Sequence, residues 1–221
     1  MMRIGSTLIG WTFFFLFISA SAVRADFIAD QYVTISQGEL GENPQIIEAK
    51  VYSKERQLRV EMNQAGRKVI HITRGDKRPP VFWMLMPNEK MYMEKVGGDD
   101  PVDPFSPKSD VKMEKVFIVK EPVAGHPTNK FKLTWRDKEG KKRIGFAWEA
   151  IDLNNAPIRQ EFYGKDEQIL VQLVNIEVRR LDTDLFEIPS GYKKLAAPAE
   201  PPKAPTSPPA PNAPIAPPPS R

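Results

Sequence analysis

The sequence predicts a mainly all-β fold: a single antiparallel sheet of about ten or eleven strands, curled into a half-barrel, with little helix. Three observations carry this. Apolar and polar residues alternate with a period of two through most of residues 26–195, turn residues interrupt the pattern at hairpin spacing, and helix signals are nearly absent. A sheet with one apolar face must cover it, and without helices it does so by curling on itself.

The strands follow in order. The first two are expected near 29–36 and 45–53, where Ile47, Ala49 and Val51 oppose Glu48 and Lys50. In 57–63, Leu58, Val60 and Met62 alternate with Gln57, Arg59 and Glu61. Strands near 67–73, 81–86 and 90–95 come next, with Met91 and Met93 opposite Tyr92 and Glu94. In the second half, 111–120 precedes 130–136, where Phe131, Leu133 and Trp135 alternate with lysines. Ile144, Phe146 and Trp148 share one face of 143–151; 158–163 and a long strand near 167–180 complete the set. Turns are marked by Gln64-Ala65-Gly66, Arg74-Gly75-Asp76, Pro87-Asn88, Lys138-Glu139-Gly140, Asn154-Asn155 and Gly164-Lys165-Asp166. The one helical signal is a short turn at Asp182–Phe186, with Asp182 as cap and Pro189 as stop. Gly97–Ser109 is a long irregular stretch, a candidate flap over the sheet.

Both ends read differently from this middle. Residues 1–25 have an early cation, Arg3, an apolar run from Leu8 to Ile18, then small residues that suit cleavage after Ala25 or Ala22. That is the pattern of a secretory signal peptide, and it implies a periplasmic protein that is not integral to the membrane once cleaved. Residues 196–221 hold 11 of the 22 prolines, a Pro/Ala-rich disordered tail able to adopt extended polyproline II and to meet an envelope partner. The folded domain is thus expected at 26–195, long enough for one core. The absence of cysteine excludes thiol catalysis, thiolate metal sites and a lipid-modified cysteine. Lysine and arginine number 32 against 28 acidic residues and read as spread along the chain, with no aromatic-basic stripe that would suit nucleic acid.

Catalytic chemistry finds no support. His71 sits in an apolar strand and His126 in a turn, both expected as structural imidazoles. Asp99, Asp100 and Asp103 lack the spacing of a calcium loop, and no phosphate-binding, dinucleotide, zinc-protease or serine-hydrolase motif occurs. No metal and no cofactor is expected. The apolar positions are the functional candidates: Val60, Met62, Trp83, Leu85, Met91, Met93, Phe131, Leu133, Trp135, Phe146 and Trp148, expected together on one concave face. With Met84 and Met86 they form a soft surface suited to variable apolar partners. The same residues could equally fill a small barrel with side chains.

Three stretches carry a resemblance. They are Val81–Glu94 (VFWMLMPNEKMYME), Ala124–Phe131 (AGHPTNKF) opening a strand, and the closing Asp184–Lys194 (DLFEIPSGYKK). In this order and spacing the chain resembles bacterial envelope proteins related in fold to the outer-membrane lipoprotein carrier and its receptor, the LolA/LolB-like half-barrels. The resemblance implies a periplasmic half-barrel whose apolar concave face holds a lipid, an acyl chain or a lipidated protein, with a role in outer-membrane or lipoprotein trafficking. The carrier closes its concavity with helices; here the Gly97–Ser109 loop would have to serve as the lid. The alternative is an envelope scaffold that uses sheet edges and the proline-rich tail and binds no small ligand.

Overall fold

A computed structural model describes residues 26–37, 42–97, 113–136, 140–164 and 167–195. The expected signal peptide, residues 98–112 with the three aspartates, and the proline-rich tail lie outside the described residues. The strands are β1 (Phe27–Gln37), β2 (Glu42–Lys54), β3 (Gln57–Gln64), β4 (Arg67–Arg74), β5 (Val81–Met86) and β6 (Met91–Val96). They continue as β7 (Glu114–Val123), β8 (His126–Arg136), β9 (Lys142–Ala150), β10 (Ala156–Tyr163), β11 (Glu167–Val178) and β12 (Lys193–Lys194). All twelve lie in one sheet, in the order β12-β6-β5-β4-β3-β2-β1-β11-β10-β9-β8-β7. Two meanders therefore flank β1, and the sheet does not close: β6 with its two-residue neighbour β12 forms one end, β7 the other.

The alternation predicted eleven of these strands. The one it lacks is β12, which is too short for a period and pairs with β6 in parallel, Lys193 opposite Met91. The expected turn at Asp182 is a 3-10 turn, Thr183–Phe186, and the Asp182 carboxylate accepts the Asp184 N–H at 3.1 Å. A second 3-10 turn, Ile151–Leu153, was not legible; it ends on Asn154 and Asn155, both in the left-handed region that Asn tolerates.

Directly opposed residues in a ladder share a face, so the registers sort the side chains into two sets. One set contains Phe27, Ala29, Val51, Val60, Met62, His71, Phe82, Leu173, Ile158, Ala147 and Leu133. This face is buried although, among the described residues, only the Ile151–Leu153 turn lies near it. The curl of the sheet accounts for that burial, so this is the inner, concave face. A continuous apolar cluster runs along it from Met84 on β5 to Val123 on β7.

The other set faces outward, yet half of it is buried too. Ile28, Ile70, Ile72, Trp83 and Leu85 pack beneath Leu181, Leu185, Phe186, Ile188 and Tyr192 of the C-terminal segment. Three cations from adjacent strands hold that segment down by donating to its carbonyls. Lys54 Nζ reaches Leu181 O at 2.6 Å, Arg59 Nη1 reaches Leu185 O at 2.8 Å, and Arg74 Nη1 reaches Phe186 O at 3.2 Å. Arg74 also forks onto Asp76 at 2.9 and 2.7 Å and pairs with Glu187. The hydrogen bond from Arg74 holds the Asp76 carboxyl below its usual range.

Candidate functional site

Of the eleven apolar residues expected on one concave face, the registers bring seven together there: Val60, Met62, Met91, Met93, Phe131, Leu133 and Trp135. Trp83, Leu85, Phe146 and Trp148 point to the outer face instead. The cause is local: β5 (VFWMLM) is apolar at every position and β9 alternates large with small residues, so either parity fits a core. On β5 the inward residues are Phe82 and Met84, and Trp83 is opposite Ile72 and Glu94. The Trp83 indole N–H donates to Glu94 at 2.9 Å, and Lys77 Nζ lies 4.6 Å from the centre of its ring. On β9 the inward residues are Gly145 and Ala147, which make room for Phe162 and Phe131 across the ladder. A Cβ on Gly145 would meet the Glu161 carbonyl at 2.6 Å.

The inner face divides into a filled floor and two open lips. On the floor, Phe27, Val60, Leu173 and Ile158 are fully buried against each other. Toward the β6 end, Met84 opposes Met93 and Met86 opposes Met91, so four methionines sit together, all half-buried. Toward the β7 end, Phe131 and Trp135 are half-buried, and Phe117 packs edge-on to Phe131 with ring centres 5.9 Å apart. Lys115 Nζ lies 4.1 Å from the Phe131 ring centre and is tied to Glu149 at 2.5 Å. Met84 and Met86, expected in the soft surface, do lie on this face, while Phe82 was not among the expected residues; the hairpin closure at Pro87–Lys90 is the signal that would have placed it.

His71 lies on this face between Val60 and Met84, edge-on to Phe82 at 5.5 Å. Burial pushes its pKa down to about 4, so the imidazole is neutral at ordinary pH. His126 lies at the start of β8, with Nδ1 2.8 Å from the Asp152 carboxylate. Among the described residues no group of three or more His, Asp or Glu could hold a metal ion.

A recess of about 300 Å³ lies over β1–β3, lined by Asp30, Tyr32, Glu48, Lys50, Glu61 and Lys68 of the outer face together with Gln31, Ala49 and Met62 of the inner one. Its charges satisfy one another: Lys50 meets Asp30 at 3.6 Å, and Glu61 meets Lys68 at 2.8 Å and Arg59 at 2.6 Å. Burial alone would raise Glu61, but hydrogen bonds from Lys68 and Arg59 outweigh it and hold the carboxyl below its usual range.

No family model matches the chain, and no curated protein matches it. Among solved structures it is similar to a LolA superfamily protein from Nitrosomonas europaea, at 12% identity and a TM-score of 0.35, over 74% of this chain and 90% of that one. It is also similar to the lipoprotein LppX from Mycobacterium tuberculosis, at 13% identity and 0.34, over 70% and 89%. A third similar structure is LprF from Mycobacterium bovis, at 11% and 0.35, over 75% and 90%. At such values the likeness assigns neither a family nor a ligand. No helix among the described residues is long and apolar enough to cross a membrane.

Proposed function

We propose that this is a non-enzymatic envelope protein that holds a lipid, an acyl chain or a lipidated partner against its concave face. The observation that supports this reading is the pair of half-buried apolar lips: Met84, Met86, Met91 and Met93 on one side, Phe131 and Trp135 on the other. Methionines are unbranched and polarisable, so they adapt to an alkyl chain of variable shape. The aromatic lip supplies a rigid wall. Between the lips the floor is already filled, which favours an occupant lying in the opening over one entering a deep cavity. The polarity is correct for such cargo, because His71 on this face stays neutral and adds no buried charge.

The protein, purified from its secreted form, is expected to release lipid on organic extraction and to bind a fluorescent fatty acid. Met93→Asp places a charge between the methionines and is expected to lower that affinity by about tenfold or more, since a desolvated charge costs several kcal/mol. A protein that releases no lipid and ignores acyl probes would overturn the proposal.

A further inference from the structure

The C-terminal segment covers the outer side of β3–β5 and the start of β1, but no described element covers the outer face of β7–β10. That uncovered face is both apolar and basic. Val116 and Val119 on β7 are 50% and 42% exposed, and Tyr163 on β10 is 39% exposed. Beside them the ladders place Lys132 opposite Val116 and Phe146, and Lys142 opposite Arg136. Along the free edge Phe117, 52% exposed, turns to the inner side opposite Phe131, and Ile118, 45% exposed, sits at the register shift, so apolar residues occupy four consecutive edge positions and Val116 and Val119 are the two on the outer side. Isolated exposed apolar residues are ordinary; a run of four on a sheet edge, flanked by lysines, is a contact surface.

The charge is local as well. Residues 114–150 carry nine lysines and arginines against five acidic residues, a surplus of four that equals the formal net charge of the whole chain. The remaining residues hold 23 of each sign. The even spread of charge expected from the sequence is therefore corrected: this wing is basic and the rest is neutral.

A second copy of the chain meets like charges at the edge in the register that sets Val116 against its Val119. The ladder shifts between Phe117 and Val119, so Glu114, Val116, Val119 and Glu121 share the outer side, and Lys115 and Lys120 the inner. A two-fold antiparallel partner that keeps the faces aligned would set Lys115 against the second copy's Lys120, and Glu114 against the second copy's Glu121. Opposed like charges repel, and an edge bulge with lysines is a device against such pairing.

We propose that the β7–β9 wing docks on an anionic lipid bilayer, its apolar strip entering the interface and Lys132, Arg136 and Lys142 meeting lipid phosphates. Basic residues around a shallow apolar strip are the pattern of interfacial binding, in which electrostatic attraction and buried apolar area add. β7 borders the opening of the half-barrel. The docking does not depend on what the concave face holds.

The test is vesicle co-sedimentation of the full chain purified after secretion, its N-terminal mass checked so that no Leu8–Ile18 segment contributes. Vesicles of phosphatidylcholine with about 30% phosphatidylglycerol are compared with phosphatidylcholine alone. Binding is expected only to the anionic vesicles, and is expected to weaken as salt rises from about 0.1 to about 0.5 M. Lys132→Glu with Lys142→Glu is expected to lower it roughly 30-fold or more, from about a fivefold effect per cation. Val116→Ser with Val119→Ser is expected to lower it about tenfold, and the exposure of both side chains lets either variant fold, as circular dichroism checks. Equal binding to both vesicle types overturns the proposal, and so does anionic binding that neither double variant changes. A dimer by sedimentation that Val116→Ser with Val119→Ser dissolves also overturns it, identifying the strip as a contact between copies. Met93→Asp is expected to leave vesicle binding intact, which separates this surface from the concave face.

Discussion

His71 ties stability to pH in a way that can be worked through. Its ring is buried on the concave face beside Phe82, and burial pushes its pKa to about 4 from an ordinary 6.5. Because the folded value is depressed, the unfolded chain binds this proton at a higher pH than the folded chain. Stability from this source is therefore present above pH 6.5 and is lost as pH falls toward 4. Between about pH 7.5 and pH 5 the loss is about 2 kcal/mol, from about 1.4 kcal/mol per unit over roughly 1.5 units. His71→Leu keeps an apolar side chain of similar volume and removes the titration. Urea unfolding of both proteins across this range is the assay: the native protein is expected to lose about 2 kcal/mol more than His71→Leu. The carboxylates contribute equally to both proteins and cancel in the difference. Identical losses in the two proteins, or a His71 imidazole resonance that titrates near its ordinary value, would refute the reasoning.

Other outcomes follow from the packing. Phe186→Ala removes a fully buried ring from beneath which Trp83 and Leu85 would be exposed, and is expected to cost about 3–5 kcal/mol by chemical denaturation. Gly145→Ala forces a Cβ to within 2.6 Å of the Glu161 carbonyl and should cost about 1–3 kcal/mol, with amide shifts confined to β9 and β10. Arg74→Met breaks the bonds to Phe186 O and Glu187 and leaves Asp76 without its fork; the amides of Leu185 and Glu187 are expected to exchange at least tenfold faster, since loss of about 3 kcal/mol of local stability is ample for that.

Strand positions were legible because half-buried antiparallel strands write their period into the sequence, as Leu58, Val60 and Met62 do. Parity was legible only where one face is polar. On β5 it was not, since Phe82, Trp83, Met84 and Leu85 are all apolar and either set could face inward. The hairpin resolves it: closing the chain between Met86 and Met91 sets Met84 opposite Met93 and Trp83 opposite Glu94. Likewise Arg136 opposite Lys142 sets Phe131 opposite Ala147, which sends Phe146 and Trp148 to the other side of the sheet. A shift of one residue reverses every side chain, so the turn carried information that the strand alone lacked. The covering of the outer face was illegible for a different reason. It depends on contacts between residues far apart in sequence, such as Lys54 with Leu181 and Arg74 with Phe186.

An outward Trp83 and an outward Trp148 pose the same physical problem and receive different answers. Trp83 is buried under Leu181, Phe186 and their neighbours, a cover made of chain. Among the described residues no chain segment covers Trp148; Lys130 Nζ lies 4.5 Å and the Arg159 guanidinium 5.0 Å from its ring centre, and its indole N–H donates to Glu121. Lys130 lies 5.4 Å from the Phe146 ring as well. Long cationic side chains here lay their stems over apolar rings and keep their charge in water. Such a cover is reversible, since a cation that shields a ring in solution can turn to a phosphate at an anionic surface and uncover that ring to the lipid interface. The half of the sheet sealed by chain is thereby committed to holding the fold together, and the half sealed by cations is the one free to change partners.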